Sequence, residues 1–164
     1  MNTERYHYLE CGLDDVFLMN GFQRFESPRG TSIAIRDIDG LHRAIGDHLC
    51  NRKKDLSGKE IRFLRREMLL SQASLARMLD VKEQTVHRWE TEKTGIPGAA
   101  ETLLRLLYLE KIDEAGESLR SRLKRIADLE DDMDRAQKLN FRLDTDGPSR
   151  RSTGAKPDCW ALAA

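Results

Sequence analysis

The sequence predicts a mainly α protein: a domain of short helices, preceded by a small α+β module and followed by a long amphipathic helix and a polar tail. Three observations predict it. Between Ser71 and Glu90 apolar residues recur every three or four positions, and the pattern breaks once, at Asp80, as two short helices joined by a tight turn would require. Ahead of residue 50, short β-prone runs alternate with turn formers. Beyond residue 113, apolar residues step by three and four for roughly 25 residues.

Composition bounds what such a chain can be. At 164 residues, with 39% hydrophobic and 34% charged residues, it can bury one full core and a small second one. No apolar run approaches the roughly 20 residues that span a bilayer. Met1 to Arg5 is neither a basic leader nor followed by an apolar stretch, so a soluble, non-exported protein with no membrane partner is expected. Cys11, Cys50 and Cys159 are far apart and lack second cysteines at metal-binding spacing, which speaks against a disulfide scaffold and a zinc knuckle. Reduced thiols are expected.

Residues 1–52 read as the α+β module. Val16-Phe17-Leu18-Met19 and Ser32-Ile33-Ala34-Ile35 flank the turn former Glu26-Ser27-Pro28-Arg29-Gly30, predicting an antiparallel pair. After Asp39-Gly40, the residues Leu41, Ala44, Ile45, His48 and Leu49 share a helical face, so a helix should return across the strands. Val16, Phe17, Leu18, Phe22, Ile33 and Ile35 are the expected core. His7, Glu10 and Cys11 could ligate a metal, but structural zinc takes four ligands and no fourth is in sight. The segment is therefore read as a strand edge with a buried Tyr and a turn at Gly12, with no metal and no cofactor.

Residues 57–112 read as the helical domain. Ser57 stands three residues ahead of Glu60 in capping-box spacing, which predicts a helix to about Leu69 with Ile61, Leu64 and Met68 inward. Helices at about 72–79 and 83–92 follow, with small Ala76 at their close approach and Leu75, Leu79, Val81, Val86 and Trp89 on inner faces. Thr94 to Gly98 breaks the chain. Pro97 then opens a helix to about Glu110 carrying Leu103, Leu106, Leu107 and Leu109. No P-loop, nucleophile elbow, paired carboxylates or metal cluster is visible, so no enzyme is expected.

The outward residues of the 72–92 pair are Lys82, Glu83, Gln84, Thr85, His87, Arg88 and Thr91. Arg suits guanine, Gln suits adenine, and hydroxyl and Lys donors suit phosphates. The pattern is that of a DNA-binding helix-turn-helix. The expected base readers are Gln84, Arg88, His87 and Glu83, and the expected backbone contacts are Ser71, Gln72, Lys82, Thr85, Thr91, Lys93 and Arg65. The net charge of zero hides an uneven distribution, because Arg52, Lys53, Lys54, Lys59, Arg62, Arg65 and Arg66 form a basic block just ahead of the motif.

Residues from about Lys59 to Glu110 resemble the five-helix Cro/CI (XRE) class of DNA-binding domains, with Leu70-Ser71-Gln72 and Thr85-Val86-x-x-Trp89-Glu90 at that class's positions. Within it the chain is similar to the MqsA-type antitoxins, through Glu60 to Arg66, Arg88-Trp89-Glu90, Pro97, and Leu103 to Leu107. In that family an Asn and an Arg four residues apart read the operator, and the matching positions are Gln84 and Arg88. The family's zinc-binding cysteine pairs are missing from the amino-terminal module. Asp80 replaces a common turn Gly where φ tends to be positive, and Lys82 replaces the usual Ser or Thr cap, at about 1 kcal/mol. The resemblance implies a cytoplasmic regulator from a bacterium or phage, with a double-stranded DNA operator as partner.

Leu119, Leu123, Ile126, Leu129 or Glu130, Met133 and Ala136 mark the amphipathic helix expected over 113–143, a stripe that either folds back on the core or pairs with a second subunit; its length favours the pairing and hence a homodimer. Residues 144–164, rich in Gly, Pro, Ser and Arg, are expected to be a disordered tail. Together these features predict a dimeric DNA-binding repressor, and the resemblance to MqsA-type antitoxins implies a further role as an autoregulating antitoxin with a toxin as partner. The alternative class is a protein-interaction module whose DNA binding is secondary.

Overall fold

The structure, a computed structural model, describes residues 5–113, 139–144 and 159–162. The chain divides into two units, 1–44 with 136–164, and 45–135.

The first unit holds two sheets. One has the order β1 (Tyr6–His7), β2 (Val16–Leu18), β5 (Leu139–Asp144), β6 (Cys159–Leu162), and the other is a hairpin of β3 (Phe22–Ser27) and β4 (Gly30–Ile35). In β2, Val16 and Leu18 point into the core because alternate residues of a strand face opposite ways. They are buried with Tyr8, Leu13, Leu41 and Phe141. Strand β2 pairs antiparallel with β1, Leu18 opposite Tyr6, and parallel with β5, Leu18 opposite Phe141.

This topology corrects three expectations. Val16–Leu18 does not pair with Ser32–Ile35; the partner of β4 is β3, in a register from Phe22↔Ile35 to Ser27↔Gly30. Strand β3 lies almost wholly exposed and so lacks the apolar run by which buried strands announce themselves. Residues 139–144 form a strand where the expected helix was to end, and 159–162 form another within the expected disordered tail. Leu139, Phe141 and Leu143 alternate with polar residues, a period of two rather than 3.6. The body of that helix, including Leu119, Leu123, Ile126 and Met133, lies outside the described residues.

In the amino-terminal segment Tyr8 is buried and Gly12 turns with φ +84°. His7 Nε2 bonds the Asp14 carbonyl at 2.6 Å and its ring stacks on Phe17, while Glu10 accepts from the Tyr6 hydroxyl and Cys11 Sγ donates to the Tyr8 carbonyl.

Five helices are described: α1 (Ile38–Asn51), α2 (Gly58–Glu67), α3 (Gln72–Met78), α4 (Glu83–Glu90) and α5 (Gly98–Ile112). The division between the units falls inside α1, not near residue 52, since Ile45, Leu49 and Cys50 belong to the second unit and are buried. Helix α2 starts with the full capping box, Ser57 Oγ accepting from the Glu60 N–H and Glu60 Oε2 accepting from the Ser57 N–H. Gly58 is obligatory there, as a Cβ would sit 2.6 Å from the Trp89 carbonyl oxygen.

Helix α5 buries Leu104, Arg105, Tyr108 and Leu109, and leaves Leu103 exposed. The expected face of Leu103, Leu106, Leu107 and Leu109 was rotated because Arg105 looks like a solvent residue. Instead Arg105 is 1% exposed and donates to the carbonyls of Leu49, Cys50, Lys53 and Lys54 at 2.7–3.2 Å, with Glu101 as its counter-ion. It thereby satisfies the last carbonyls of α1 and the loop after it, which no intrahelical donor reaches. Burial pushes the Cys50 thiol up to about 12 against the opposing pull of the Arg105 charge, leaving it an inert core residue.

Candidate DNA interface

Helices α3 and α4 are joined by a turn whose geometry follows from its residues. Ser71 caps α3, its Oγ accepting from the Ser74 N–H at 3.0 Å. Asp80 takes φ +53° just past the helix, and the Val81 N–H returns to the Ala76 carbonyl at 2.9 Å. The same closure recurs at Leu69 (φ +58°), where the Leu70 N–H reaches the Arg65 carbonyl, and at Glu92 (φ +57°), where the Lys93 N–H reaches the Arg88 carbonyl. Three successive helices thus end on a left-handed residue other than glycine. Lys82 occupies the α4 cap position without a side-chain bond, and Glu83 in the first turn supplies the charge that a helix amino-terminus favours.

Helix α4 separates its faces cleanly. Val86, Trp89 and Glu90 are buried, while Glu83, Gln84, His87 and Arg88 are exposed. Lys82, Thr91, Lys93 and Ser71 are exposed beside them, and Thr85 is half-buried. The Thr91 hydroxyl donates to the His87 carbonyl at 2.8 Å.

Two of the expected backbone contacts face elsewhere. Arg65 Nε donates to Glu90 Oε1 at 2.5 Å and its Nη2 to Oε2 at 3.1 Å, while Nη1 holds the Leu70 carbonyl at 2.7 Å. Gln72 Nε2 donates to Glu90 Oε2 at 2.8 Å, and Arg62 Nε reaches the same oxygen at 3.4 Å. The Glu90 side chain is wholly inaccessible and that of Arg65 is 13% exposed. Burial alone raises a carboxylate pKa, but the bonds from Arg65, Gln72 and Arg62 outweigh it and hold Glu90 below its usual range. Glu90 therefore ties α2, the start of α3, and α4 into one rigid piece that fixes the angle of the outward face.

Glu90 is not among the residues expected to contact DNA. Its signal was a carboxylate next to the buried Trp89 and four residues after Val86, hence on the inner stripe, where a charge is found only if paired. The basic block also divides: Lys53 pairs with Glu60 at 2.6 Å, Arg65 and Arg62 serve Glu90, and Arg52, Lys54 and Arg66 are exposed.

Among the described residues no helix is long and apolar enough to cross a membrane. No curated protein and no solved structure matches the chain. Residues 61–100 match the helix-turn-helix family model, so the stretch from within α2 to the start of α5, with α3 and α4 at its centre, is a helix-turn-helix segment of the DNA-binding kind.

Proposed function

We propose that the protein is a sequence-specific DNA-binding transcription regulator that works as a dimeric repressor. The observation that carries this reading is the division of α4, with Glu83, Gln84, His87 and Arg88 exposed together while Trp89 and Glu90 anchor the opposite side. A major groove admits one α-helix, and residues at its amino-terminal and central turns meet base edges. Arg88 offers a forked donor to guanine N7 and O6, and Gln84 offers the donor and acceptor pair that adenine presents. Ser71, Lys82, Thr85, Thr91 and Lys93 flank this face and supply the phosphate contacts that set register.

One such helix reads only a few base pairs, so specificity needs two held at fixed spacing. The apolar stripe Leu119, Leu123, Ile126 and Met133 is the proposed means. The resemblance to antitoxins adds a toxin as a further partner, which co-purification with the product of a neighbouring small reading frame tests. For DNA binding itself, selection from a random duplex pool should return a two-fold symmetric sequence, with half-sites about one helical turn apart or a small multiple of it. Recovery of no sequence preference would contradict the reading.

A further inference from the structure

The β3–β4 hairpin presents two unlike edges. Among the described residues it forms a sheet of its own, so the outer side of each strand is unpaired. Such an edge invites another strand unless it is guarded by charge or proline. On β3 the guard is present as Arg24 and Glu26. On β4, Gly30 to Ile35 carries neither a charge nor a proline, and Thr31, Ile33 and Ile35 are β-branched.

The direction of the free backbone groups follows from the ladder. The Arg36 N–H donates to the Gly21 carbonyl at 2.8 Å, and hydrogen-bonded pairs alternate along an antiparallel ladder. With Phe22 opposite Ile35, Arg24 opposite Ile33 and Glu26 opposite Thr31, the groups of Ile35, Ile33 and Thr31 point away from β3. These three residues also share one face of the strand.

We infer that β4 pairs antiparallel with β4 of a second copy of this chain, about a two-fold axis at Ile33, making a four-stranded sheet. In this register Ile33 exchanges both backbone bonds with its own copy, and Thr31 does so with Ile35 of the second copy. All three outward residues are used, and Thr31, Ile33 and Ile35 line one apolar strip. The strand ends at Ile35, and Asp37 beyond it takes φ +50° and accepts from the Gly40 N–H, so the register is set by the outward backbone groups of β4 and not by charge at its ends. Centring on Ser32 or Ala34 instead leaves one outward residue beyond the paired strand. Six residues of edge bury less than the roughly 1,200 Å² of a stable interface, so the pairing is weak and concentration-dependent. It is independent of the DNA reading and of the 119–133 stripe.

The test is disulfide trapping in the full chain without DNA. Ile33→Cys should cross-link under mild oxidation through residue 33 of both copies, assigned by mass spectrometry, while Gln23→Cys on the guarded strand should not. Adding Thr31→Lys, an exposed position, to the Ile33→Cys chain should cut the yield at least tenfold, with an unchanged melting temperature showing that the hairpin is intact. Absence of the residue-33 link, an equal yield from Gln23→Cys, or indifference to Thr31→Lys overturns the pairing.

Discussion

Glu90 shows how one buried charge organises an interface that it does not touch. Its carboxylate is sealed from solvent and accepts from Arg65, Gln72 and Arg62. Removing one member of a buried pair leaves the other's desolvation uncompensated, typically at about 3–5 kcal/mol. Glu90→Gln should therefore lower stability at pH 7 by about 3 kcal/mol, measured by denaturant unfolding. Because the folded pKa is depressed, the unfolded state binds the proton more readily, and the Glu90 contribution is full above the unfolded value of about 4.3. It is lost as pH falls through the folded value, so the gap between wild type and Glu90→Gln should close in acid. A gap that stays constant from pH 7 to 3 would contradict this. At this scale the outward residues of α4 were legible from spacing, as was the buried Trp89. Arg65 and Gln72 were not, because their type suits phosphate as well as it suits a buried carboxylate, and only the fold decides.

Among the elements, the helix ends carry the most information. Leu69 closes α2 with φ +58° while its side chain is 88% exposed, so it bears the strain of the left-handed region without the return of burial. Leu69→Gly should stabilise the protein by about 1 kcal/mol, the reverse of the usual effect of adding a glycine, as read from the unfolding midpoint. A loss of stability would mean that the leucine has a partner in solution. The end of α1 depends on Arg105, which donates to four carbonyls. Arg105→Met keeps the apolar stem but orphans those acceptors, and each buried unsatisfied group costs about 1–3 kcal/mol, so a loss of at least about 3 kcal/mol is expected. Arg105→Lys should rescue little, since an ammonium cannot reproduce the planar fork. The capping box of α2, the positive φ of Asp80 and the missing cap at Lys82 were all readable from residue type and spacing. The phase of α5 and the pairing of β4 were not. An arginine counted as polar was in fact core, and a strand exposed on both sides has no hydrophobic signature.

For the whole molecule, the carboxy-terminal residues decide the organisation. Strands β5 and β6 complete the sheet begun by β1 and β2, a non-local pairing that local patterns do not encode, although the alternation from Leu139 to Leu143 marked a strand. If the stripe of Leu119, Leu123, Ile126 and Met133 joins two chains, Leu123→Lys with Ile126→Lys should give a folded monomer by light scattering that binds DNA more weakly. A persistent dimer would assign the interface elsewhere. The net charge of zero also bears on function, because any DNA affinity must come from local contacts rather than from the overall field. Binding should then weaken with salt at a slope set by the few cations beside α4, and Lys93→Ala should reduce that slope by about one.

The most direct test is to measure affinity for the selected duplex and for an unrelated one with the wild type and with Arg88→Ala, at about physiological ionic strength. Arg88 is exposed and outside the Glu90 network, so the variant should melt as the wild type does. It should bind the selected duplex about 10- to 100-fold more weakly, the equivalent of roughly 1–3 kcal/mol, while its weak, salt-sensitive binding to unrelated DNA persists. Unchanged affinity for the selected duplex, in a variant that melts normally, would contradict the assignment of α4 as the reading helix.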